Sequence, residues 1–140
     1  KGWSHTEYLA ALCEYEISDR YQRRTQKWIR EAQLAGGKTF TEFNDDKLSR
    51  EIKAQLARLK QDTTWVEHAD NVLLIGPSGT GKTHIASALT YQLIEQGVRC
   101  KLFPAIALVQ LLQQAKRDLD LMAAMTRLDK YRVIVIDEAM

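Results

Sequence analysis

Features that define several other classes of protein are scarce in this chain. Among its 140 residues there are two prolines and two cysteines. No apolar run approaches the roughly 18 residues that a membrane-spanning helix needs. Cys13 and Cys100 are too few for a disulfide scaffold and lack CxxC metal spacing, so we expect reduced thiols in a cytoplasmic protein. The chain begins at Lys1 with no apolar targeting segment behind it, which predicts a processed chain or a fragment.

What is present is ordinary for a globular protein. Apolar residues make up 45% and charged residues 27%, which excludes disordered, collagen-like and low-complexity classes. The length allows one domain plus an appendage. The net charge of +2 says little about partners, but the stretch from residue 18 to residue 38 contains six basic residues and only two acidic ones. The positive charge is therefore local.

The first 37 residues predict a helical arm. Ser4-His5-Thr6-Glu7 has the spacing of a capping box, and apolar residues follow at helical spacing with a break near Ser18. Glycines 36 and 37 are predicted to end the arm, since glycine adopts the left-handed conformation of helix ends. Asn44 or Asp45 is then expected to cap a second helix, whose apolar face comprises Leu48, Ile52, Leu56 and Leu59.

The pattern changes at Asn71, where short apolar runs begin to alternate with helical segments. Each run is bounded by polar residues or glycine, as expected of strands covered on both faces. This rhythm predicts an α/β fold with a parallel sheet flanked by helices. The predicted elements are strands at 72–75, 99–103 and 132–136, a helix at 81–96 ended by Gly97, and helices at 105–115 and 119–128.

Residues 76–83, GPSGTGKT, match the phosphate-binding pattern GxxxxGK[ST] between a predicted strand and a predicted helix. The glycines let successive N–H groups point into one concave nest at the positive end of the helix dipole. Lys82 is expected to reach the β- and γ-phosphates, and the Thr83 hydroxyl to bind Mg²⁺. We assign ATP binding to Gly76, Pro77, Ser78, Gly79, Thr80, Gly81, Lys82, Thr83 and His84.

Asp137 and Glu138 follow the last predicted strand and supply the second half of the site. Ligands of open α/β sheets bind at the carboxyl ends of the strands, where these side chains are expected. Asp137 is predicted to hold Mg²⁺ through water, and Glu138 to orient or deprotonate the attacking water. The pair favours ATP hydrolysis, with Lys82 and Glu138 as catalytic residues, over phosphoryl transfer to a small molecule.

At these residues the sequence resembles the IstB-like helper ATPases of bacterial transposons, a branch of the AAA+ superfamily close to the DnaC helicase loaders. The GTGKTH core is typical of that branch. The region around Glu14 to Arg30 is also similar to that family. Further similar segments are 71–87 (NVLLIGPSGTGKTHIAS), 108–118 (LVQLLQQAKRD), 131–138 (YRVIVIDE) and 39–43 (TFTEF).

The resemblance implies ATP-dependent assembly on double-stranded DNA, in a ring or helical oligomer that recruits and stimulates a transposase. It also implies that a neighbouring subunit completes each ATPase site. An extra helix between the second and third strands engages DNA in related initiators and loaders, which makes Lys116 and Arg117 candidate phosphate contacts. Residues 1–37 would be the arm and 38–140 the first half of the ATPase core, with Walker A at 76–83 and Walker B at 133–138.

The chain departs from that superfamily at its carboxyl end. In that superfamily the strand after the Asp-Glu strand carries a polar sensor residue. It is inserted in the sheet between the strand before the phosphate loop and the Asp-Glu strand. The arginine finger and helical lid also come later. We therefore expect a core truncated after Walker B, and a longer protein from which this chain derives.

Several residues permit two interpretations. A basic stripe on the arm, formed at helical spacing by Arg20, Arg24, Lys27 and Arg30, predicts contacts with the DNA backbone. It could also be a solvated face supported by pairs such as Lys27 with Glu31. Phe40 and Phe43 could line an adenine pocket or close a small core. Packing is expected for Met122 and Met125, as for Tyr21 and Trp28. The DNA candidates are Arg20, Arg23, Arg24, Lys27, Arg30, Lys116 and Arg117.

The sequence thus predicts a DNA-associated ATPase with ATP and Mg²⁺ as cofactors and no membrane partner. A DnaC-like helicase loader, with a replicative helicase as partner, is the nearest alternative. An interaction module whose fold ATP merely locks is an alternative from another class. A small-molecule kinase is disfavoured by the Asp-Glu pair and the basic arm.

Overall fold

A computed structural model describes residues 2–34, 36 and 38–138 of the protein. Within these residues, no helix is both long and apolar enough to cross a bilayer. The elements in chain order are α1 (His5–Ala32), a 3-10 turn (Phe40–Glu42), α2 (Arg50–Gln61), α3 (Thr64–Glu67), α4 (Lys82–Glu95), β1 (Cys100–Pro104), α5 (Ala105–Arg117), α6 (Leu121–Leu128) and β2 (Val133–Asp137).

The two strands form a parallel sheet, which confirms the predicted α/β class. Cys100 lies opposite Val133 and Pro104 lies opposite Asp137, so both strands point their carboxyl ends to the same edge. Parallel neighbours require a crossover between them, and here α5 and α6 provide it. Each strand begins one residue later than its sequence pattern predicts.

Helix α4 forms the centre of the hydrophobic core. It is apolar around most of its circumference and buries Leu89, Leu93 and Ile94, as expected of a helix covered by other elements. Gly97 adopts φ +88° just past its end, as predicted. Cys100 on β1 belongs to the same cluster, and burial raises the pKa of its thiol to about 12. This thiol is therefore protonated and unreactive at neutral pH.

The carboxyl end of α1 packs into this core, while its amino-terminal half is exposed. Ala32 is fully buried, and Trp28 and Ile29 pack against α4 and β1, which confirms packing for Trp28. The packing predicted for Tyr21 was wrong, because this residue is 43% exposed and its ring stacks with the exposed Arg24 instead of entering the core. The division of the chain into an arm and a core at residue 37 stays a prediction.

The start of α1 is as predicted, but its course and its end differ. The Ser4 hydroxyl accepts from the Glu7 amide at 3.1 Å, and the Glu7 carboxylate accepts from the Ser4 amide at 3.2 Å. The expected break near Ser18 is absent, because the helix is continuous from His5–Ala32. It ends before the glycines, since Gln33 itself adopts the left-handed conformation at φ 58°. Gly37 lies outside the described residues.

The predicted strand at 72–75 was wrong for this structure. These residues form no regular element, and Leu73 and Ile75 are 81% and 90% exposed. The segment lines a cavity of about 900 Å³ together with β2 instead of pairing with it. A strand needs a neighbouring strand for its backbone hydrogen bonds, and the cavity lies where a strand between this segment and β2 would be. Among the described residues no such strand fills the cavity.

Two further predictions about local packing were wrong. Ser49, and not Asn44 or Asp45, caps α2, and its hydroxyl accepts from the Ile52 amide at 3.3 Å. The Asn44 side chain instead closes a local turn by accepting from the Asp46 amide. The second wrong prediction concerns α6: Met122 and Met125 were expected to fill the core, but they are 81% and 46% exposed.

A partly buried ion pair joins α1 to Arg99, the residue just before β1. Both oxygens of Glu31 accept from the Arg99 guanidinium at 2.7 Å, and Lys101 donates to the Glu31 backbone carbonyl at 2.9 Å. The alternative interpretation, in which Lys27 pairs with Glu31, finds no hydrogen bond between them; the Lys27 charge acts on Glu31 only through space, because Arg99 binds both carboxylate oxygens. These hydrogen bonds hold the pKa of Glu31 below its ordinary value of 4.5. The pair fixes α1 on the sheet.

We expect the Glu31→Gln variant to lower the free energy of unfolding at pH 7 by about 1–3 kcal/mol, because it breaks a charge-assisted bidentate pair. Glu31 binds a proton more readily when unfolded, so its stabilisation is complete above about pH 4.5 and falls as the pH drops through its lowered pKa. Urea unfolding between pH 3 and pH 7 measures both effects. Glu16→Gln, which breaks only the exposed pair with Arg20, is the matched control. Equal losses in the two variants would contradict the prediction.

Candidate nucleotide site and basic arm

The loop at 76–83 has the backbone geometry that its glycines predict. Gly79 and Gly81 have φ values of +79° and +88°, which other residues rarely adopt. Gly81 is the N-cap of α4, and no side chain of the described residues caps that helix. The first N–H groups of α4 are therefore available to an anion, and the loop geometry suits a phosphate group.

The side chains of the loop bond back onto its own carbonyls. Lys82 Nζ donates to the backbone oxygens of Gly76 and Pro77, the latter at 2.8 Å. The Thr80 hydroxyl also donates to the Pro77 oxygen at 2.8 Å. The Lys82 ammonium is thus held inside the concave side of the loop, where phosphate oxygens could take over its hydrogen bonds.

The structure brings the two halves of the predicted site to one cavity. Gly76, Ser78 and Lys82 line it from the loop, and Asp137 and Glu138 line it from the end of β2. The residues come together because α4 and β2 pack side by side and β2 delivers its carboxyl end to this edge. A basic group and two carboxylates around one cavity match the donor set that a magnesium nucleotide needs. Thr83, half-buried in the first turn of α4, follows Lys82 directly.

The structure distinguishes the roles of Phe40 and Phe43, for which the sequence allowed either an adenine pocket or closure of a small core. Phe40 packs against the core, with Lys60 Nζ 4.0 Å from its ring centre. Phe43 lies against the phosphate loop instead, and its ring centre is 5.0 Å from that of His84. Core closure therefore explains Phe40, and Phe43 remains a candidate for the nucleotide site.

Sequence reasoning missed one contact beside the loop. His84 Nε2 lies 2.9 Å from the backbone oxygen of Thr39, 45 residues away in the chain. The similarity of residues 39–43 to the IstB-like family was the one signal near it. Nothing in the spacing of the two residues could have revealed the pairing.

The basic residues of the arm have different surroundings. Arg20 pairs with Glu16 at 2.7 Å and Arg23 pairs with Asp19 at 2.6 Å. Three other members of the stripe make no ion pair with a described residue, and one of them, Arg24, stacks on the rings of Tyr21 and Trp28. The other two, Lys27 and Arg30, have exposed side chains.

Helical geometry orients these charges. Lys27 and Arg30 lie on the face of α1 roughly opposite Ala32 and Ile29, which enter the core. Their ammonium and guanidinium groups therefore face away from the sheet. The other two DNA candidates are exposed in the last turn of α5, outside the arm: Lys116 and Arg117.

The parallel strands, the glycine loop at the start of α4 and the acidic residues after β2 place the chain in the class of P-loop nucleotide-binding proteins. The sequence profile of the family described as IstB-like ATP binding protein matches residues 1–140. The chain belongs to this family.

Individual relatives agree with this assignment. The chain is 37% identical over 138 residues to an insertion sequence ATP-binding protein of Sinorhizobium fredii, covering 99% of this chain and 46% of that protein. It is 31% identical to an IS21 ATP-binding protein of Pseudomonas aeruginosa, covering 99% of this chain and 52% of that protein. An IS21-like ATP-binding protein of Bacteroides fragilis is 29% identical, with 99% and 52% covered. The chain thus spans about half the length of these relatives.

Proposed function

We propose that this chain is the ATP-binding part of a transposition helper ATPase. The observation that carries the proposal is the single cavity shared by Lys82, Asp137 and Glu138. Family membership supports ATP as the ligand. The relatives' names, which refer to insertion sequences, support the transposition context.

In the proposed mechanism the loop N–H groups and the start of α4 bind the phosphates of ATP. Lys82 exchanges its bonds with the Gly76 and Pro77 carbonyls for bonds to the β- and γ-phosphate oxygens. Thr83 directly and Asp137 through water would hold Mg²⁺, which would supply positive charge next to the phosphates. Glu138 orients or deprotonates the attacking water.

We further propose that the protein assembles on double-stranded DNA as a ring or helical oligomer in the cytoplasm and recruits a transposase. A head-to-tail interface would let a neighbouring subunit complete each ATPase site, so an isolated subunit would turn over slowly. The direct test is the size of complexes on duplex DNA with and without ATP, measured by sedimentation. Large DNA-bound assemblies formed only with ATP support the proposal, and a monomer indifferent to both ligands overturns it.

The arm supports the DNA part of this proposal. Lys27 and Arg30 project from the face of α1 that is turned away from the core, and neither makes a salt bridge with a described residue. Side chains in this state can replace the counterions of DNA phosphates at little cost, because no intramolecular pair has to break. Arg20 and Arg23 must first leave Glu16 and Asp19.

We expect the double variant Lys27→Ala/Arg30→Ala to weaken duplex binding in a salt-dependent way. The slope of log K against log[salt] should become shallower by about 2, since each lost phosphate contact removes roughly 0.9. Fluorescence anisotropy at 50–300 mM salt measures it with the full-length protein. The control is Lys47→Ala/Arg50→Ala, which removes the same charge from exposed residues off the arm. An unchanged slope in the arm variant would refute the DNA role of these two residues.

Two experiments separate the alternatives. Pull-down against a transposase and a replicative helicase distinguishes the helper from a DnaC-like loader. Stoichiometric ATP binding without DNA-stimulated phosphate release would favour a module whose fold ATP merely locks.

A further inference from the structure

The segment from Thr39 to Phe43 connects the region of α1 to the nucleotide site and contacts the start of α4 at two points. Phe40 anchors one side of it to the core. On the other side, Thr39 and Phe43 both meet His84. His84 is therefore the residue of α4 through which this segment is held beside the phosphate loop.

The hydrogen bond between His84 and Thr39 has a defined direction. A backbone carbonyl can only accept, so the Nε2 atom of His84 carries the proton and donates it across 2.9 Å. The bond joins the first turn of α4 to a backbone atom 45 residues earlier. Because it fixes Thr39, this bond also positions the 3-10 turn Phe40–Glu42 and the Phe43 ring that follow Thr39 in the chain.

The Phe43 ring lies directly against the loop. Its Cε2 atom is 3.2 Å from the position that a Cβ on Gly81 would occupy, so any side chain there would push the ring back by a few tenths of an ångström. Gly81 immediately precedes Lys82, whose ammonium is directed to the phosphates in the proposed function. An aromatic face at this distance from the phosphate loop is within reach of the nucleoside part of a bound nucleotide.

We propose that His84 is a positioning residue that holds Phe43, through the Thr39 carbonyl, as a wall against the nucleoside of the bound nucleotide. This inference rests on the proposed function and deepens it by assigning recognition of the base and sugar separately from recognition of the phosphates. His84 acts here through Phe43, whereas Lys82 and the loop N–H groups bind phosphate.

Two conservative variants isolate the hydrogen bond. In His84→Gln the amide nitrogen stands as many bonds from the backbone as the imidazole Nε2, so it can still donate to Thr39. In His84→Asn the amide is one carbon shorter and cannot reach. Both variants remove the ring that contacts Phe43, so a difference between them reports the bond to the carbonyl.

The experiment is isothermal titration calorimetry of the full-length protein and its variants with two magnesium-containing ligands, ATP and inorganic tripolyphosphate. Tripolyphosphate has the phosphates but no nucleoside. We expect His84→Ala and His84→Asn to weaken ATP binding about five- to tenfold, the order of one lost hydrogen bond. Their tripolyphosphate affinity should stay within about twofold of the wild type, and His84→Gln should recover most of the ATP affinity. Phe43→Ala should show the same selective loss, and the double variant His84→Ala/Phe43→Ala should lose no more.

Other outcomes overturn the inference. Equal losses for both ligands would mean that His84 supports the phosphate loop itself. Equal ATP affinities of the Gln and Asn variants would show that the hydrogen bond to Thr39 plays no part. Additive losses of ATP affinity in the double variant would show that His84 does not act through Phe43. Wild-type protein that binds tripolyphosphate and ATP equally well would refute the nucleoside wall while leaving the phosphate site intact. Wild-type protein that binds neither ligand would overturn the proposed function and this inference together.

Discussion

Replacing Lys82 by alanine should abolish ATP binding, raising the Kd by at least about 100-fold. The ammonium group is the cation closest to the phosphates in the proposed site, and charge-assisted hydrogen bonds to phosphate are among the strongest in proteins. Two such bonds at about 1.5–3 kcal/mol each exceed the 2.7 kcal/mol or so that 100-fold requires. Calorimetry with Mg²⁺-ATP measures the effect directly.

The same substitution should leave the fold intact. Lys82 bonds only to the exposed loop carbonyls of Gly76 and Pro77, so the unfolding midpoint without nucleotide should change little. ATP-dependent assembly on duplex DNA should disappear together with ATP binding. Lys47→Ala, an exposed lysine outside the loop, is the control. If Lys82→Ala bound ATP with the affinity of the wild type, the assignment of residues 76–83 would be wrong.

Replacing Glu138 by glutamine should separate binding from hydrolysis. Glutamine keeps the shape of the side chain but cannot accept a proton, and loss of a general base typically costs 10²–10⁴-fold in rate. We therefore expect ATP affinity within about threefold of the wild type and phosphate release at least about 100-fold slower. Complexes on duplex DNA should become longer and dissociate more slowly, because ATP would remain bound.

Phosphate release and sedimentation of the same samples test this second prediction. Glu95→Gln changes an exposed carboxylate at the last residue of α4 and should hydrolyse ATP normally. Normal turnover by the Glu138→Gln variant would defeat the assignment of the general base. Loss of ATP binding would instead indicate that Glu138 has a structural or metal-binding role.

Elements with a strong local cause could be predicted closely. The capping box at Ser4 and Glu7 forms because both partners lie within one helical turn. Helix α4 starts one residue later than predicted, and Gly97 ends it with a positive φ. The positive φ values of Gly79 and Gly81 follow from residue type alone, so the loop conformation was also accessible.

Elements that depend on distant neighbours were predicted less well. Residues 72–75 have the composition of a buried strand, yet composition supplies no hydrogen-bonding partner, and the segment forms no strand. Met122 and Met125 have helical spacing, but spacing cannot say whether anything covers the face they share. Lys27 and Glu31 have the i, i+4 spacing of a helical pair, but Arg99, just before β1, binds both oxygens of the carboxylate.

Residue type and short-range spacing were enough to predict a phosphate loop before a helix, an acidic pair after a strand and a positive stripe along one helix. These features lie within short stretches, where residue type and spacing dictate backbone conformation and charge. Which of these groups meet depends on the tertiary structure. It brought Lys82 and Glu138 to one cavity, set His84 on the Thr39 carbonyl, and joined Glu31 to Arg99. Short stretches of sequence do not reveal such contacts, because they depend on how α1, α4 and the sheet pack, and packing is a property of the whole chain.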